Sequence, residues 1–555
     1  MRKVQSLRKS PYPAPDVVTK VVPAPTEGWD AISPLASMDP KRAPILTNWV
    51  PRPGFVELRS GYTNWNRIHP FQPVESLLVW RSPSSTKMFA AMGGGIFDVS
   101  VRDTYTQDVS GLASARWQYV NFAPANSTNV IQCVNGVDAM RMYNGSWSTP
   151  SITGLPGGLN TTAIRNIQAT KRRLWYVLGD GSGGASTLAA YMPTDAITGP
   201  IAGTIDIGAL LTKGGNLVQV GSWTVDGGAG PQDYVVFLSS RGQACVYAGT
   251  DPSNAINWSL VGTFDMSPPV SLRCMTRVGS DLALITQDGV LPISQALPFD
   301  PSADRSVAIT ARIQNAMANA TTQYKDNFGW QLISFPAQQL AVLNIPVQEN
   351  SEQVQYAMNA ITGAWCNFSG WNANVFEIFG DDFFFGGNTG EVNKAWDGGL
   401  DDASPILANM QCAFNYFDDP GRLKRMTMVQ PLMVVSAPIT PTISVDEDFN
   451  VSDAVAPISI LVSGVTWDDT AIWDETNWPL GAGVHNPWLS AEAIGHALAI
   501  HMTVNIGSST TPQTSGQFDV GVFDEAEFDV GGIDNSAVTL QINAFNTIME
   551  LGGFV

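Results

Sequence analysis

Charged side chains are scarce in this chain of 555 residues, and basic ones are missing from its last part. Asp, Glu, Lys and Arg make up 14% of the residues, against about 25% in an average soluble protein. Residues 1–425 hold all 30 Lys and Arg, whereas residues 426–555 hold 16 Asp and Glu and no Lys or Arg. Such a surface repels nucleic-acid phosphates, because no side chain in it neutralises them. The composition therefore argues against a protein that grips DNA through residues 426–555.

Cysteine is also rare, and its spacing excludes two kinds of site. The five cysteines are odd in number, lie far apart and form no Cys-x-x-Cys pair, so neither a disulfide framework nor a structural zinc site is predicted. We expect buried free thiols. The chain lacks a run of ~18 apolar residues that could span a membrane, and its basic N-terminus lacks the apolar stretch of a secretory signal. These absences predict synthesis in a cytoplasm and no stable membrane insertion.

Short apolar segments separated by glycine-rich turns fill most of the chain. SLLVWR (76–81) and KMFAAMGGGIFDVS (87–100), for example, have the composition of β-strands joined by tight turns. Clusters of this kind recur every ~40–50 residues, the period of a four-stranded propeller blade. We predict an all-β protein containing a β-propeller-like domain of six to seven blades.

Composition divides the chain into four parts. Its first residues are basic and rich in proline, as in segments that order only against a partner. The last part is acidic but keeps the apolar alternation of strands, in ISILVSGVTW (458–467) and HALAIHMTVNIG (496–507). The predicted parts are an extended arm at 1–28, an N-terminal signature segment at 29–62, a propeller-like domain at 63–405 and an acidic C-terminal β domain at 406–555.

One stretch of the propeller-like domain has the pattern of a helix. Residues 306–320 place Ile309, Ile313 and Met317 on one apolar stripe. Ser306 precedes the stripe and can cap the helix. We predict a connecting helix that packs on a sheet.

No arrangement typical of an active site or a metal centre stands out. His496 and His501 lie five residues apart in a strand-like segment, which predicts side chains on opposite faces. Asp446, Asp448 and Asn450 have the spacing of the first EF-hand calcium ligands, but the glycine and final glutamate of that loop are missing. We predict no enzyme, no catalytic residues, no cofactor and no metal-binding residues. A cation site elsewhere in the acidic region is the alternative.

A series of distinctive motifs runs along the chain. The first, WDAISPLASMDPKRAPILTNWVPRPGFVELRSGY (29–62), leads from small residues through Asn48-Trp49 to a Pro-Arg-x-Gly-x-Val-Glu-x-Arg-x-Gly pattern. The later motifs are VNGVDAMRMYNGSW (134–147), VYAGTDPSNAINWSLVG (246–262), QYAMNAITGAWCNFSGW (355–371), FGGNTGEVNKAWDGG (385–399), WDDTAIWDETNW (467–478) and GHALAI (495–500). In number and order these motifs resemble those of tail nozzle proteins of short-tailed, podovirus-type phages. That family is also described as tail tubular protein B or packaged-DNA stabilisation protein.

The resemblance implies a structural virion protein, made in the host bacterial cytoplasm and located in the phage tail. Such a chain forms a homo-hexameric nozzle at the distal end of the tail, docks on the head–tail adaptor, retains packaged DNA and forms the channel for its ejection. The resemblance also implies that the signature segment at 29–62 is adaptor-proximal. Tail fibres or tailspikes are further implied partners, and DNA passes without sequence-specific binding. Two other hypotheses are a glycan-binding or glycan-cleaving host-recognition β-propeller and an intracellular propeller scaffold.

Acidic side chains near the C-terminus are the candidates for the channel wall. They lie in the run FDVGVFDEAEFDVGG (518–532). A basic wall would bind DNA and slow its exit, whereas a like-charged wall keeps DNA mobile. Retention then requires a physical constriction, which we place in propeller loops. The alternative is that these carboxylates face solvent or a basic adaptor surface. The candidate channel-lining residues are Asp519, Asp524, Glu525, Glu527 and Asp529.

Overall fold

The structure is a computed structural model, and its described residues form two compact units. The described part of the first unit lies within residues 1–58 and 405–555, and that of the second within residues 59–404. The first unit is therefore assembled from the two stretches of chain that flank the second in sequence. The structure describes residues 16–125, 128–226, 231–279, 281–296, 307–436, 439, 441–453, 455, 483–506 and 539–554.

The first described strand lies in the stretch for which the sequence predicts an extended arm. It pairs antiparallel with the last strand of the chain, from Asp16 opposite Leu551 to Pro23 opposite Ala544. The partner strand is more than 500 residues away in sequence, so the composition of the arm could not predict this pairing. The strands up to residue 58 are β1 (Asp16–Pro23), β2 (Gly28–Trp29), β3 (Arg42–Ala43), β4 (Ile45–Thr47), β5 (Trp49–Arg52) and β6 (Phe55–Leu58).

The regular secondary structure of the second unit is mainly β-strand in its described residues. The strands form seven successive antiparallel sheets of three or four strands, and one short parallel pair joins β16 to β20. Strand β7 (Tyr62–Arg67) precedes the first blade in sequence, and the parallel pair consists of β16 (Ile152–Thr153) and β20 (Gly199–Pro200). Blade 1 contains β8 (Val74–Arg81), β9 (Thr86–Met92), β10 (Gly95–Val101) and β11 (Thr104–Val109); blade 2 contains β12 (Gln118–Phe122), β13 (Val130–Val134), β14 (Arg141–Tyr143) and β15 (Trp147–Ser148); blade 3 contains β17 (Ile164–Thr170), β18 (Arg173–Gly179), β19 (Ala185–Tyr191) and β21 (Gly203–Asp206); and blade 4 contains β22 (Leu217–Asp226), β23 (Pro231–Ser239), β24 (Gln243–Gly249) and β25 (Trp258–Asp265). Blade 5 contains β26 (Met275–Val278), β27 (Asp281–Thr286) and β28 (Gly289–Pro292); blade 6 contains β29 (Gln331–Phe335), β30 (Leu340–Gln348), β31 (Glu352–Asn359) and β32 (Trp365–Phe368); and blade 7 contains β33 (Val375–Phe379), β34 (Asp382–Gly386) and β35 (Glu391–Ala395).

The seven sheets close into a ring. The first strand of each sheet packs against the next sheet, and β33 of the last sheet packs against β8 of the first. Strand β7 precedes blade 1 in sequence but forms the outer strand of blade 7, with Tyr62 opposite Ala395 and Arg67 opposite Glu391. One sheet thus holds both ends of the unit. The unit is a seven-bladed β-propeller, in agreement with the predicted all-β fold of six to seven blades.

Large apolar side chains fill the space between neighbouring blades. Trp175 of blade 3 is buried and packs against Phe237 and Trp258 of blade 4, with ring centroids 5.5 and 5.8 Å away. Between blades 1 and 2, the rings of Phe89 and Tyr143 lie 4.8 Å apart. Burying one such side chain stabilises the fold by about 1.5–3 kcal/mol. These aromatic contacts therefore help to hold neighbouring blades together.

The C-terminal strands complete two sheets of the first unit. One sheet has the order β39–β37–β42–β6–β5, with β1 beside β42 and β40 beside β37, and the other contains β4–β36–β41–β38. The predicted strand at 496–507 is confirmed by β41, and the one predicted at 458–467 lies outside the described residues. These strands are β36 (Ile406–Gln411), β37 (Arg422–Val435), β38 (Thr442–Glu447), β39 (Gly483–His485), β40 (Leu489–Gly495), β41 (Leu498–Ile506) and β42 (Leu540–Phe554).

The predicted helix begins later than its sequence pattern indicates. The helices of the described chain are α1 (Ile293–Ala296) and α2 (Gln314–Tyr324), and a 3-10 turn at Ala311–Ile313 precedes α2. The predicted start is wrong because Ile309 N donates to Val290 O at 2.9 Å, which holds this stretch beside β28. Ser306 lies outside the described residues. Further 3-10 turns within the described ranges lie at Leu35–Ser37, Pro156–Gly158, Thr161–Ala163, Gly208–Leu210 and Pro336–Gln338.

All five cysteines are buried, and none of them forms a disulfide, as predicted. Among the described residues, none of the helices combines the length and apolar character that a membrane crossing requires.

Candidate functional site in the propeller channel

A cavity of about 210 Å³ lies at the centre of the propeller, lined by the innermost strands of all seven blades. A second cavity of about 180 Å³ shares part of its wall and extends to Arg277. Five side-chain amides form most of the polar wall of the central cavity, and one arginine, one glutamate, one tyrosine and one threonine join them. These polar residues are Gln118, Tyr119, Asn166, Gln168, Gln219, Arg273, Thr276, Gln331 and Glu377.

Several of the lining residues join neighbouring blades. Gln331 of blade 6 accepts from Phe376 N and donates to Phe376 O of blade 7, both at 2.9 Å. Gln219 of blade 4 accepts from Met275 N of blade 5 at 3.1 Å. Thr276 donates to Leu332 O of blade 6 at 2.7 Å. The innermost edge of each sheet has backbone groups without a strand partner, so polar side chains there satisfy groups that burial would otherwise make costly.

Two arginines stack on one aromatic ring at the end of the channel where the innermost strands begin. The guanidinium carbons of Arg116 and Arg273 lie 4.3 and 5.2 Å from the ring centroid of Phe328. Arg116 Nε pairs with Glu75 Oε1 at 2.9 Å, and Arg116 also pairs with Glu349. Burial alone would raise the pKa of Glu349, but the hydrogen bond from Phe328 N and the charge of Arg116 hold that pKa below its usual value. The stack thus ties four blade ends together.

Glu377 lines the same cavity, where its carboxylate lies between a phenol and a guanidinium. Tyr119 Oη donates to Glu377 Oε2 at 2.6 Å, and Arg81 Nη2 lies 3.4 Å from Glu377 Oε1. Burial raises the pKa of Glu377 above its usual value of 4.5, because the charged form loses solvation. Burial also raises the pKa of Tyr119, and the neighbouring carboxylate adds to this. The phenol therefore stays a hydrogen-bond donor at neutral pH.

The raised pKa of Glu377 predicts a stability that falls as pH rises. The folded protein binds the proton of Glu377 more tightly than the unfolded chain does, so stability decreases from about pH 4.5 up to the raised pKa. Glu377→Gln should remove this part of the pH dependence. Urea unfolding at a series of pH values measures the slope, with the exposed Glu352→Gln as the matched control. Equal slopes for the two variants would contradict the prediction.

Arg273 differs from the other arginines of the channel. Its Nη2 donates to Ser76 Oγ at 2.9 Å, Trp117 O at 3.0 Å and Glu75 O at 3.2 Å. All three acceptors are neutral groups. Its Nη1 is buried and has no hydrogen-bond partner among the described residues. Burial lowers the pKa of Arg273 to about 10, because the neighbouring charges do not fully replace the lost solvation.

The structure does not describe the acids that the sequence predicts to line the DNA channel. Asp519, Asp524, Glu525, Glu527 and Asp529 all lie outside the described residues. Their role as a channel wall stays a prediction.

The calcium-like spacing in the acidic region does not gather its carboxylates around one point. Asp446 accepts from Ser452 and Gln411 and lies beside His501, whose Nδ1 is 3.2 Å from Asp446 Oδ2. Asp448 accepts instead from His496 N at 2.7 Å. In the part of the chain that the structure describes, no three His, Cys, Asp or Glu residues are grouped to hold a metal ion.

Motif residues that carry the family resemblance have structural roles. Arg59 and Asp401 form a buried ion pair, with Nη2 to Oδ2 at 2.6 Å. Asn48 adopts a left-handed backbone, φ 62°, and its amide donates to Leu407 O at 2.7 Å. Gly390, φ +85°, lies where a Cβ would approach Ile68 O to 2.4 Å, so only glycine allows this contact between blade 7 and the chain after β7. These motif residues therefore build the fold.

Comparison with known proteins finds likeness only among solved structures. No family model and no curated protein matches the chain. A chain in the crystal structure of BBS1N in complex with ARL6DN, soaked with lead, is 14% identical, with 43% of this chain and 73% of that chain covered and a TM-score of 0.28. Saccharomyces cerevisiae Sqt1 is 10% identical, with 60% and 99% covered and a TM-score of 0.32. Likenesses at this level carry no functional argument, and the fold follows from the sheet order described above.

Proposed function

We propose that this chain is a structural virion protein of a short-tailed phage. Six copies form the nozzle at the distal end of the tail. The nozzle docks on the head–tail adaptor, bears or abuts tail fibres or tailspikes, retains packaged DNA and forms the channel for its ejection. The observation that carries the proposal is the ordered series of nozzle-like motifs across about 29–505. No catalytic role is part of it.

The propeller cavity of a single chain is too small for duplex DNA, so a DNA path has to be formed between several copies. The central cavity has a volume of about 210 Å³, and Phe328 with its two arginines occupies the end of the channel. Duplex DNA cannot enter such a space, since its major groove alone is about 12 Å wide. A chain that conducts DNA must therefore do so in a channel between subunits, which is the geometry of a nozzle ring.

The lack of basic side chains in residues 426–555 also supports a channel through which DNA can move. Residues 426–555 bring no Lys or Arg, and the basic side chain just before them is already paired. Arg425 contacts Glu492, and its Nη1 lies 3.6 Å from Glu550 Oε2. A wall built from such a region does not bind phosphates tightly, so DNA moves past it. Retention then depends on a constriction and not on charge.

Native mass spectrometry of the purified full chain, alone and with the adaptor protein, tests the proposal. We expect a ring of six copies, bound to the adaptor when both are present. A glycan-recognition propeller would need neither the six-fold ring nor the adaptor, and it would bind a glycan array. A chain that forms no six-fold assembly with the adaptor would overturn the nozzle assignment.

A further inference from the structure

The chain contains two Asn-Gly pairs, both in the motif at 134–147. Asn135-Gly136 lies between β13 and β14 of blade 2, and Asn144-Gly145 lies between β14 and β15 of the same blade. In such a pair the backbone nitrogen of glycine can approach the side-chain amide carbon of asparagine, because glycine has no Cβ that hinders it. The two pairs therefore place the same chemistry in two different turns.

Hydrogen bonds hold the side-chain amide of Asn135 at both of its ends. Its Oδ1 accepts from Val137 N at 3.0 Å and from Asp138 N at 2.7 Å. Its Nδ2 donates to Ser114 O at 3.2 Å and to Asp138 Oδ2 at 2.8 Å. Rotating this amide towards the nitrogen of Gly136 breaks these bonds, so the fold protects Asn135 from attack.

Asn144 has no such restraint. Its side chain is exposed, and in the part of the chain that the structure describes no group hydrogen-bonds to its amide. A Cβ on Gly145 would meet no atom within 4 Å, whereas a Cβ on Gly136 would lie 3.0 Å from the side chain of Arg165. The turn at Asn144 can therefore bring the nitrogen of Gly145 to the side-chain carbon, within the reacting distance of about 3–3.5 Å.

We propose that Asn144 is a site of spontaneous deamidation. The backbone nitrogen of Gly145 gives up its proton and forms a bond to Cγ of Asn144, and the side-chain nitrogen leaves with that proton as ammonia. Water then adds to one of the two carbonyl carbons of the cyclic imide and breaks the bond from that carbon to the nitrogen, which leaves aspartate or isoaspartate. The reaction consumes one water and needs no oxidant, reductant or cofactor. This inference does not depend on the nozzle assignment.

The reaction changes the turn that holds the outer strand of blade 2. Isoaspartate inserts a methylene carbon into the main chain between Tyr143 and Trp147, which lie opposite each other across the turn. The ring of Trp147 also lies 4.9 Å from the ring of Phe89 in blade 1. A longer turn shifts Trp147 relative to Tyr143, so it weakens an aromatic contact that joins the two blades.

Incubation of the full folded chain at mildly alkaline pH, followed by tryptic digestion and mass spectrometry, tests the proposal. Cleavage after Arg116, Arg141 and Arg165 places Asn135 and Asn144 in different peptides. We expect Asn144 to convert at least about tenfold faster than Asn135. The rate at Asn144 should rise with pH, because the attacking nitrogen has to lose its proton.

The same incubation in urea is the control, because unfolding removes the hydrogen bonds that hold Asn135. There we expect the two sites to convert at similar rates. Equal rates at the two sites of the folded chain would overturn the proposal, and so would an Asn144 that converts in urea but not in the folded chain.

Hydrogen exchange of the aged chain measures the effect on blade 2. We expect faster exchange in β14 and β15 of the aged wild-type chain than in aged Asn144→Gln, whose longer side chain cannot form the same five-membered imide. Unchanged exchange in these strands after conversion of Asn144 would contradict the weakened contact between the blades.

Discussion

Arg59→Met should lower the free energy of unfolding of the propeller by about 3–5 kcal/mol, the usual cost of removing one partner of a buried ion pair. The Arg59 side chain is fully buried. It donates from Nη1 to Asp401 Oδ1 at 2.8 Å and from Nη2 to Asp401 Oδ2 at 2.6 Å. Its Nη2 also donates to Ser369 O at 2.6 Å, and its guanidinium lies 5.1 Å from the ring of Trp371. Methionine fills part of the space but leaves the Asp401 carboxylate buried and without its cation.

Chemical unfolding of the variants, followed by tryptophan fluorescence, measures this effect. Arg67→Met is the matched control, because Arg67 is exposed and lies 3.6 Å from Glu391, so its loss should cost less than about 1 kcal/mol. The double variant Arg59→Met with Asp401→Asn should recover part of the stability, since no buried charge then lacks a partner. Similar losses for Arg59→Met and Arg67→Met would contradict the role given to the buried pair.

Periodic features of the propeller could be predicted from the sequence, and its closure could not. Each blade is a local series of hairpins, so the strand-and-turn pattern repeats within a window of ~40–50 residues. The pairing of β7 with β35 instead joins residues more than 300 positions apart, such as Arg67 and Glu391. The pairing of β1 with β42 is longer still. The local sequences of β7 and β1 do not identify their partner strands, because any short alternating segment can pair with many others.

The channel residues could not be predicted for a different reason. Arg273 stands two residues before the first residue of β26, and Glu377 lies within β33 between apolar neighbours. A charged residue at such a position also fits an exposed strand face. Only the ring of seven blades shows that both side chains face the channel. A sequence signal for the channel is a glutamine at the first position of an innermost strand, as at Gln118 of β12 and Gln331 of β29, but its meaning depends on the closed ring.

Asp446→Ala should destabilise the first unit by about 3–5 kcal/mol, because it removes the acceptor at the centre of a buried polar cluster. Asp446 and His501 are both almost fully buried, with His501 Nδ1 3.2 Å from Asp446 Oδ2. On the other side of the ring, His501 Nε2 lies 2.6 Å from Asn409 Oδ1. The side chains of Gln411 and Ser452 also donate to Asp446. Alanine leaves these groups buried without the acceptor, and each such group costs about 1–3 kcal/mol.

Hydrogen exchange of the backbone amides locates the effect, because local opening of β38 and β41 reports on the strands that hold Asp446 and His501. We expect faster exchange in these two strands of Asp446→Ala. Asp453→Ala is the matched control, since Asp453 is exposed in the same part of the chain, and its effect should stay within about 0.5 kcal/mol. Asp446→Asn keeps one side-chain acceptor and should lose less stability than alanine. Equal exchange rates in Asp446→Ala and the wild-type chain would contradict the stabilising role given to Asp446.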